Sequence, residues 1–398
     1  MTIQDPMVIV GAKRTPMGSF LGGFKNLTAT DLGACAIKAV VESANVQVND
    51  IDEVIFGCVL PAGLGQAPAR QAALKAGLAQ KTSATTINKV CGSGIKAIMF
   101  AHDLIKAGSI NIAVAGGMES MSNAPYMLEK ARDGYRMGHG SINDHMMIDG
   151  LEDAYEHKAM GCFAQSTADS KNLTREAMDE FAINSLTKAN AAIKNGSFSH
   201  EITPVIVPNR KESITITTDE APASIRQEKI PSLRPAFAKN GSITAANASC
   251  ISDGAAAVVL MKQSTAKEKG LVPLAKIVAH ASYSQAPSDF TLAPIGAIKS
   301  LLQKANWHVD DVDLWEINEA FAMVTMLAID ELNIAPQKVN IHGGACALGH
   351  PLGASGARIV TTLIHALTHT LTQKQVSKGV ASLCIGGGEA VAIAIELM

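Results

Sequence analysis

Apolar residues recur at three- and four-residue intervals from Leu32 to Glu42 and from Ile95 to Ala107, the spacing that turns one face of a helix toward a core. Gly108 then stands where the second helix would take its C-cap. A different pattern follows. Ile112–Ala115 is a short unbroken apolar run ending at Gly116, as buried parallel strands do. Gly254–Met261 and Ala390–Glu396 read as strands too, while Arg175–Asn195 is a long helical stretch among Pro-containing turns. Strand, helix and strand in alternation predict an α/β fold, with mostly parallel sheets covered by helices.

The pattern repeats. Asp50-Ile-Asp-Glu-Val-Ile55 is answered by Asp311-Val-Asp-Leu-Trp-Glu316, 261 positions on. Ser93-Gly94, opening an apolar helix, is answered by Ser355-Gly356 at 262, and Glu119, closing a glycine pair, by Glu389 at 270. Three matches in one order at nearly constant offset predict a duplicated α/β unit. In the second copy Glu389 leads straight into its next strand, whereas in the first about 130 residues intervene before Gly254–Met261. The expected division is therefore a first half at 1–120 completed by 247–272, an insertion at 121–246, and a second half at 273–398. An insertion of this kind belongs at a surface loop of the unit it interrupts.

Composition narrows the function. The 398 residues carry 34 Lys+Arg against 36 Asp+Glu, a net charge of −2, and 47% are hydrophobic. A near-neutral chain without a basic block argues against nucleic acid or an anionic membrane as partner. No run approaches the roughly 20 apolar residues of a membrane span, and Asp5 and Pro6 precede only a short apolar stretch, which predicts no signal peptide. The seven cysteines are scattered, with no Cys-x-x-Cys. They predict no zinc cage and a reducing compartment, hence a cytoplasmic protein.

Four segments carry candidate chemistry. In Asn88-Lys-Val-Cys91-Gly-Ser-Gly94 a thiol stands just before a helix, where first-turn amides and the helix dipole favour thiolate; the alternative is a buried cysteine among packing glycines. In His342-Gly-Gly-Ala-Cys-Ala-Leu-Gly-His350-Pro351, the proline pushes His350 out of helical conformation at the mouth of a helix. A neutral imidazole there can take a proton from a thiol, and the repeat sets it near the point that Cys91 holds in the first half. Cys384-Ile-Gly-Gly-Gly388 ends a strand in three glycines, so Cys384 could exchange protons beside exposed amides, or simply fill a tight exit. Asn318, after an apolar strand, could position a water or a substrate oxygen, or cap the next helix.

Together these blocks resemble the thiolase family. They are the Cys91 segment, Asn318-Glu-Ala-Phe-Ala322, Gly343-Gly-Ala-x-Ala-Leu-Gly-His-Pro-x-Gly-Ala-Ser-Gly356 and Cys384-Ile-Gly-Gly-Gly388. Val10-Gly-Ala-x-Arg-Thr-Pro16, Gly116-Gly-Met-Glu-Ser-Met121 and Asn247-Ala-Ser-x-x-Ser-Asp-Gly-Ala-Ala256 add to the resemblance, which spans essentially the whole chain. It implies a duplicated α/β core of two mixed sheets, with helices between and outside in five layers, plus a loop domain covering coenzyme A. By the same resemblance Cys91 is the nucleophile, and His350 activates it and helps bind the thioester oxygen. Cys384 exchanges a proton with the α-carbon, and Asn318 holds a water in one oxyanion hole. The amides of Cys91 and Gly386 form a second hole. Ser249 lies beside pantetheine, and Met160 and Phe290 border the acyl pocket.

The implied reaction exchanges two acetyl-CoA for acetoacetyl-CoA plus CoA, with coenzyme A thioesters as substrates and no metal or other cofactor. The rival of the same chemistry is a 3-ketoacyl-CoA thiolase of fatty-acid β-oxidation. A non-catalytic lipid-binding or scaffold protein would not need both cysteines, the histidine and the asparagine. Condensing synthases usually carry His where Asn318 stands and lack the second cysteine. Several positions depart from the family's common pattern: Ala159 where many members have His, Asp219-Glu-Ala-Pro-Ala223 where relatives often carry an Arg, Phe290-Thr-Leu-Ala-Pro294, and Glu389-Ala390 after the glycines. The segment 126–140 resembles the loop that joins thiolase dimers, which implies a homotetramer.

Overall fold

A computed structural model describes residues 5–371 and 377–398; the first four residues of the expected first half lie outside the described residues. The first half consists of β1 (Met7–Arg14), α1 (Ala29–Ser43), β2 (Glu53–Gly57), α2 (Pro68–Lys75), β3 (Ser83–Ile87), α3 (Ser93–Ala107) and β4 (Ile112–Ser120). The insertion carries α4 (Met160–Ser170) and α5 (Arg175–Asn195), after which β5 (Ser252–Lys262) returns to the core. The second half consists of β6 (Ala275–Ser284), α6 (Ala293–Ala305), β7 (Leu314–Ile317), α7 (Ala322–Leu332), α8 (Leu352–Leu371), β8 (Lys378–Ile385) and β9 (Glu389–Leu397).

The strand order is β7-β8-β9-β6-β1-β5-β4-β2-β3. Read outward from the centre, β1-β5-β4-β2 and β6-β9-β8-β7 follow the same order, so the duplication visible in the sequence is a duplication of topology. The two half-sheets meet edge to edge through β1 and β6, which share two residue pairs, Val8↔Lys276 and Ile9↔Ala275. They therefore form one continuous sheet rather than two separate ones. Five layers result. α1 and α2 cover the outer face of the first half-sheet, α3 and α8 fill the space between the half-sheets, and α6 and α7 cover the second.

The expectation of mostly parallel sheets is corrected. β2 is parallel to β3 and β4, and β7 to β8, but the contacts of β5, β9 and β1 are antiparallel. A parallel neighbour needs a crossover of a dozen or more residues; β9 follows β8 after a three-glycine turn, too short for one. β4 also runs past Gly116 to Ser120. Its glycines do not end the strand. They let it approach its neighbours, since a Cβ on Gly116 would strike the Ala256 carbonyl and one on Gly117 the Gly353 carbonyl.

The repeated Ser-Gly pair has a packing cause. α3 and α8 cross backbone to backbone at Gly94 and Gly356: a Cβ on Gly94 would lie 2.5 Å from the Ala357 amide, and one on Gly356 would strike that of Ile95. The crossing brings the starts of both helices, and hence Cys91 and His350, to one place. The insertion is tied to the core by Arg14, buried beside Glu201 Oε1 (2.5 Å) and Asp219 Oδ1 (2.6 Å). Among the described residues no helix is long and apolar enough to cross a membrane.

Candidate active site

One cavity of about 600 Å³ lies where the two halves and the insertion meet. Cys91, His350, Cys384, Gly386, Ser249, Met160 and Phe290 all line it. Asn318 stands immediately behind, 1% exposed, with Nδ2 3.5 Å from Nε2 of His350. Every residue expected at the site from the sequence is thus brought together.

Cys91 sits on a tight turn between β3 and α3. Val90 before it has φ of 45°, a conformation that a β-branched residue adopts only when its surroundings hold it there. Two side chains do so. Asn88 Oδ1 accepts from the Val90 amide (2.8 Å), and the Ser93 hydroxyl donates to the Val90 carbonyl (2.7 Å) while accepting from the Lys89 amide (2.8 Å). Lys89 also pairs with Glu389 from the opposite half, which gives the departure at Glu389 a local partner.

The helix-dipole expectation for Cys91 is corrected. α3 begins at Ser93 with Gly92 as its N-cap, and the amides that reach the Cys91 sulfur are those of Gly386 and of Cys91 itself. They lower its pKa, but burial raises it more, and the thiol is pushed up to about 11. Cys384, buried beside Cys91 near the end of β8, is raised well above the usual thiol range by burial first and Cys91 second. Both sulfurs rest as thiols at neutral pH.

His350 complements them. Burial, aided by Arg358, lowers its pKa to about 3, so the ring is neutral. The Ser355 hydroxyl donates to the Pro351 carbonyl (2.8 Å) and lies 2.5 Å from His350 Nδ1. With its single hydrogen committed, that hydroxyl accepts from Nδ1–H. Nε2 then holds the lone pair and accepts from the Asn318 amide. Asn318 does not cap α7, whose N-cap is Phe321 without a side-chain bond. Its Oδ1 is buried with no protein partner among the described residues, so it can accept from a water or a substrate.

Several supporting residues escaped the sequence reading. Ser355 sets the tautomer of His350. Glu119, 0% exposed and pushed up to about 7 by burial, holds the amides of Val59 (2.9 Å), Leu60 (3.1 Å) and Gly353 (2.8 Å), fixing the chain after His350. Glu319 joins Ser185 (2.7 Å), Asn340 (2.8 Å) and the Cys346 amide (3.1 Å) beneath the site. All stand inside or beside the same motif blocks. Phe321 packs edge to face on both Phe290 and Phe237, with centroids 6.3 Å apart in each pair. No single-residue signal marked it, because its partners are distant in sequence.

Residues 7–264 match the family model for the N-terminal domain of thiolase, and residues 271–397 match that for the thiolase C-terminal domain. This chain belongs to the thiolase family. An acetyl-CoA acetyltransferase of Cupriavidus necator is 49% identical over 98% of this chain and 99% of its own length. One from Yarrowia lipolytica is also 49% identical, over 98% and 96%. Of solved structures, an Ascaris suum thiolase crystallised with coenzyme A superposes with a TM-score of 0.93 at 43% identity, covering 99% of this chain and all of that one. The acetyl-CoA acetyltransferase of Bacillus anthracis gives 0.95 at 41%, covering 99% of each chain.

As a thiolase, the chain is an acyltransferase, and burial favours the neutral thiol at Cys91. Alkylation of Cys91 by iodoacetamide should therefore accelerate about tenfold per pH unit from 7 to 10, since only thiolate reacts and its fraction grows until pH nears the pKa. Saturating acetyl-CoA should protect Cys91. A rate already level below pH 8, read by peptide mapping, would show that the site holds a preformed thiolate.

Proposed function

We propose that this thiolase acts as an acetyl-CoA C-acetyltransferase, interconverting acetoacetyl-CoA plus CoA with two acetyl-CoA through an acetyl-Cys91 intermediate. The convergence at one cavity of two neutral thiols and a neutral imidazole, whose Nε2 lone pair meets only the Asn318 amide at 3.5 Å among the described residues, carries this reading. In cleavage, Cys91 gives its proton to His350 Nε2 as sulfur attacks the 3-keto carbon. The amides of Cys91 and Gly386 then face the oxyanion, while the new Nε2–H and a water held by Asn318 Oδ1 face the thioester oxygen of the departing acetyl-CoA. Collapse breaks the carbon–carbon bond, and the departing α-carbon takes the proton of Cys384. In the second half-reaction CoA gives its thiol proton to Cys384 and its sulfur attacks acetyl-Cys91, with the amides of Cys91 and Gly386 toward the oxyanion. Cys91 leaves and recovers the proton from His350. Oxidation states are conserved throughout, so the scheme uses coenzyme A thioesters as substrates and no cofactor.

Substrate length is the test. Phe290 is 3% exposed and braced by Phe321, and a braced aromatic yields less readily to a long chain than a flexible methionine would. Acetoacetyl-CoA should be cleaved with at least about tenfold higher kcat/KM than the ten-carbon homologue. Equal efficiency would favour the β-oxidation reading instead. Among the described residues none that lines the cavity is Lys or Arg, so cations meeting the nucleotide phosphates would lie beyond this cavity.

The homotetramer is part of the proposal. The hairpin formed by Tyr126–Leu128 and Ile142–Asp144 and the loop it carries expose the apolar side chains of Tyr126, Leu128, Tyr135, Met137 and Ile142, which supports an interaction surface there. A monomer by light scattering at micromolar concentration would contradict it. We keep the division into 1–120 with 247–272, 121–246 and 273–398, supported by β5 lying between β1 and β4. A nucleophile that works only as a free thiol suits a reducing compartment, and we place the protein in the cytoplasm.

A further inference from the structure

His102 and Asp103, near the C-terminal end of α3, face His280 of β6, and none of the three lines the cavity. Their ligand atoms converge: His102 Nδ1 lies 2.8 Å and His280 Nε2 3.0 Å from Asp103 Oδ1, and the two nitrogens are 3.3 Å apart. The rings stand nearly perpendicular, with centroids 4.9 Å apart. Both imidazoles are largely buried, at 12% and 17% exposure, while Asp103 is open to solvent at 56%.

We propose that His102 Nδ1, His280 Nε2 and Asp103 Oδ1 form a binding site for a divalent transition metal of the zinc type, with solvent in the fourth position. Two ring nitrogens and a carboxylate oxygen are a donor set suited to such ions. Bonds of about 2.0–2.1 Å in a tetrahedron set ligand atoms about 3.3 Å apart, so separations of 2.8–3.3 Å need only a slight opening. Each imidazole binds through a nitrogen that carries no hydrogen, so binding shifts any proton there to the other ring nitrogen, which faces away from the metal. Lys304, whose ammonium donates to the His280 carbonyl at 3.2 Å, and Lys96, which feels the charge of Asp103, are nearby cations that work against the ion. The metal would bridge α3, the helix that follows Cys91, to the first strand of the second half. It would clip the two halves together outside the cavity.

The test uses the full-length protein stripped with a chelator and titrated with cobalt(II). Zinc is then competed against a chromophoric chelator. One equivalent of cobalt should give the intense visible bands of a tetrahedral ion, without the near-ultraviolet band of a cobalt–thiolate bond. Zinc should raise the melting temperature of the wild type but not of the His102→Gln/His280→Gln variant, and Asp103→Asn should weaken zinc binding at least about tenfold. Thiolase activity of the metal-free variants should persist, which confirms that they fold, because none of the three residues lines the cavity. Equal zinc affinity in wild type and the double histidine variant would overturn the site, as would a thiolate band that accounts for all bound cobalt. If the double variant does not fold, unchanged affinity in Asp103→Asn, whose side chain is mostly exposed, would overturn it equally.

Discussion

Cys384→Ser is expected to keep forming acetyl-enzyme while losing carbon–carbon bond cleavage and formation by about two to four orders of magnitude. The loss equals about 2.7–5.4 kcal/mol of transition-state stabilisation. The separation follows from where the thiol stands. Cys384 is 1% exposed near the end of β8 and rests protonated, able to hand a proton to the departing α-carbon and to recover one from CoA. A serine hydroxyl occupies nearly the same volume, so the cavity should survive, but its far higher pKa prevents that exchange. The CoA thiol, unlike the α-carbon, ionises to a useful extent without a positioned base, so acyl exchange between acetyl-CoA and labelled CoA should continue at Cys91 in the variant, slowed far less than thiolysis. Thiolysis of acetoacetyl-CoA at near wild-type rate would remove Cys384 from the mechanism. Loss of exchange as severe as the loss of thiolysis would show that the two thiols do not divide the work.

His350→Ala should lower acyl transfer by a similar two to four orders of magnitude, yet change the alkylation rate of Cys91 by less than about tenfold. Alkylation reads the thiolate already present, and burial with the two amides sets that population. Acyl transfer needs the proton removed during attack, an Nε2–H beside the thioester oxygen, and the proton returned as Cys91 leaves. Because His350 titrates near 3, it is neutral across the working range, and the wild-type pH profile of acylation should show no histidine inflection between pH 5 and 8. His350→Asn, which can still accept a bond from Asn318, should fold if the alanine variant does not. A hundredfold fall in alkylation alongside acyl transfer would show instead that His350 holds a resting thiolate.

Some of this was legible in the chain. The periodicity of Arg175–Asn195 matches the helix residue for residue, because an amphipathic surface helix writes its packing into its own spacing. The repeat was legible because each half buries the same elements in the same order. The four catalytic segments were legible as motifs. The glycines of β4 were misread as a strand end, since their cause is the approach of Ala256 and Gly353, distant in sequence. Strand direction departs from the expectation for two reasons: β5 reaches β1 and β4 only after the long excursion that follows β4, and β9 turns straight back on β8 through three glycines, too short a link for a crossover.

The sequence by itself determined the α/β class and the duplication, because residue type and local spacing carry those, and through its resemblance to thiolases it singled out Cys91, His350, Cys384 and Asn318. Only the tertiary structure decided how these groups are ionised. The same cysteine before a helix would favour thiolate if it were solvated. Here the crossing of α3 and α8 at Gly94 and Gly356 and the roof supplied by the insertion enclose it, and desolvation outweighs the amides of Cys91 and Gly386. The tautomer of His350 likewise depends on Ser355 and Asn318, the second of which arrives from a different strand. Desolvation depends on every atom packed around a group, and no local stretch of sequence holds that information.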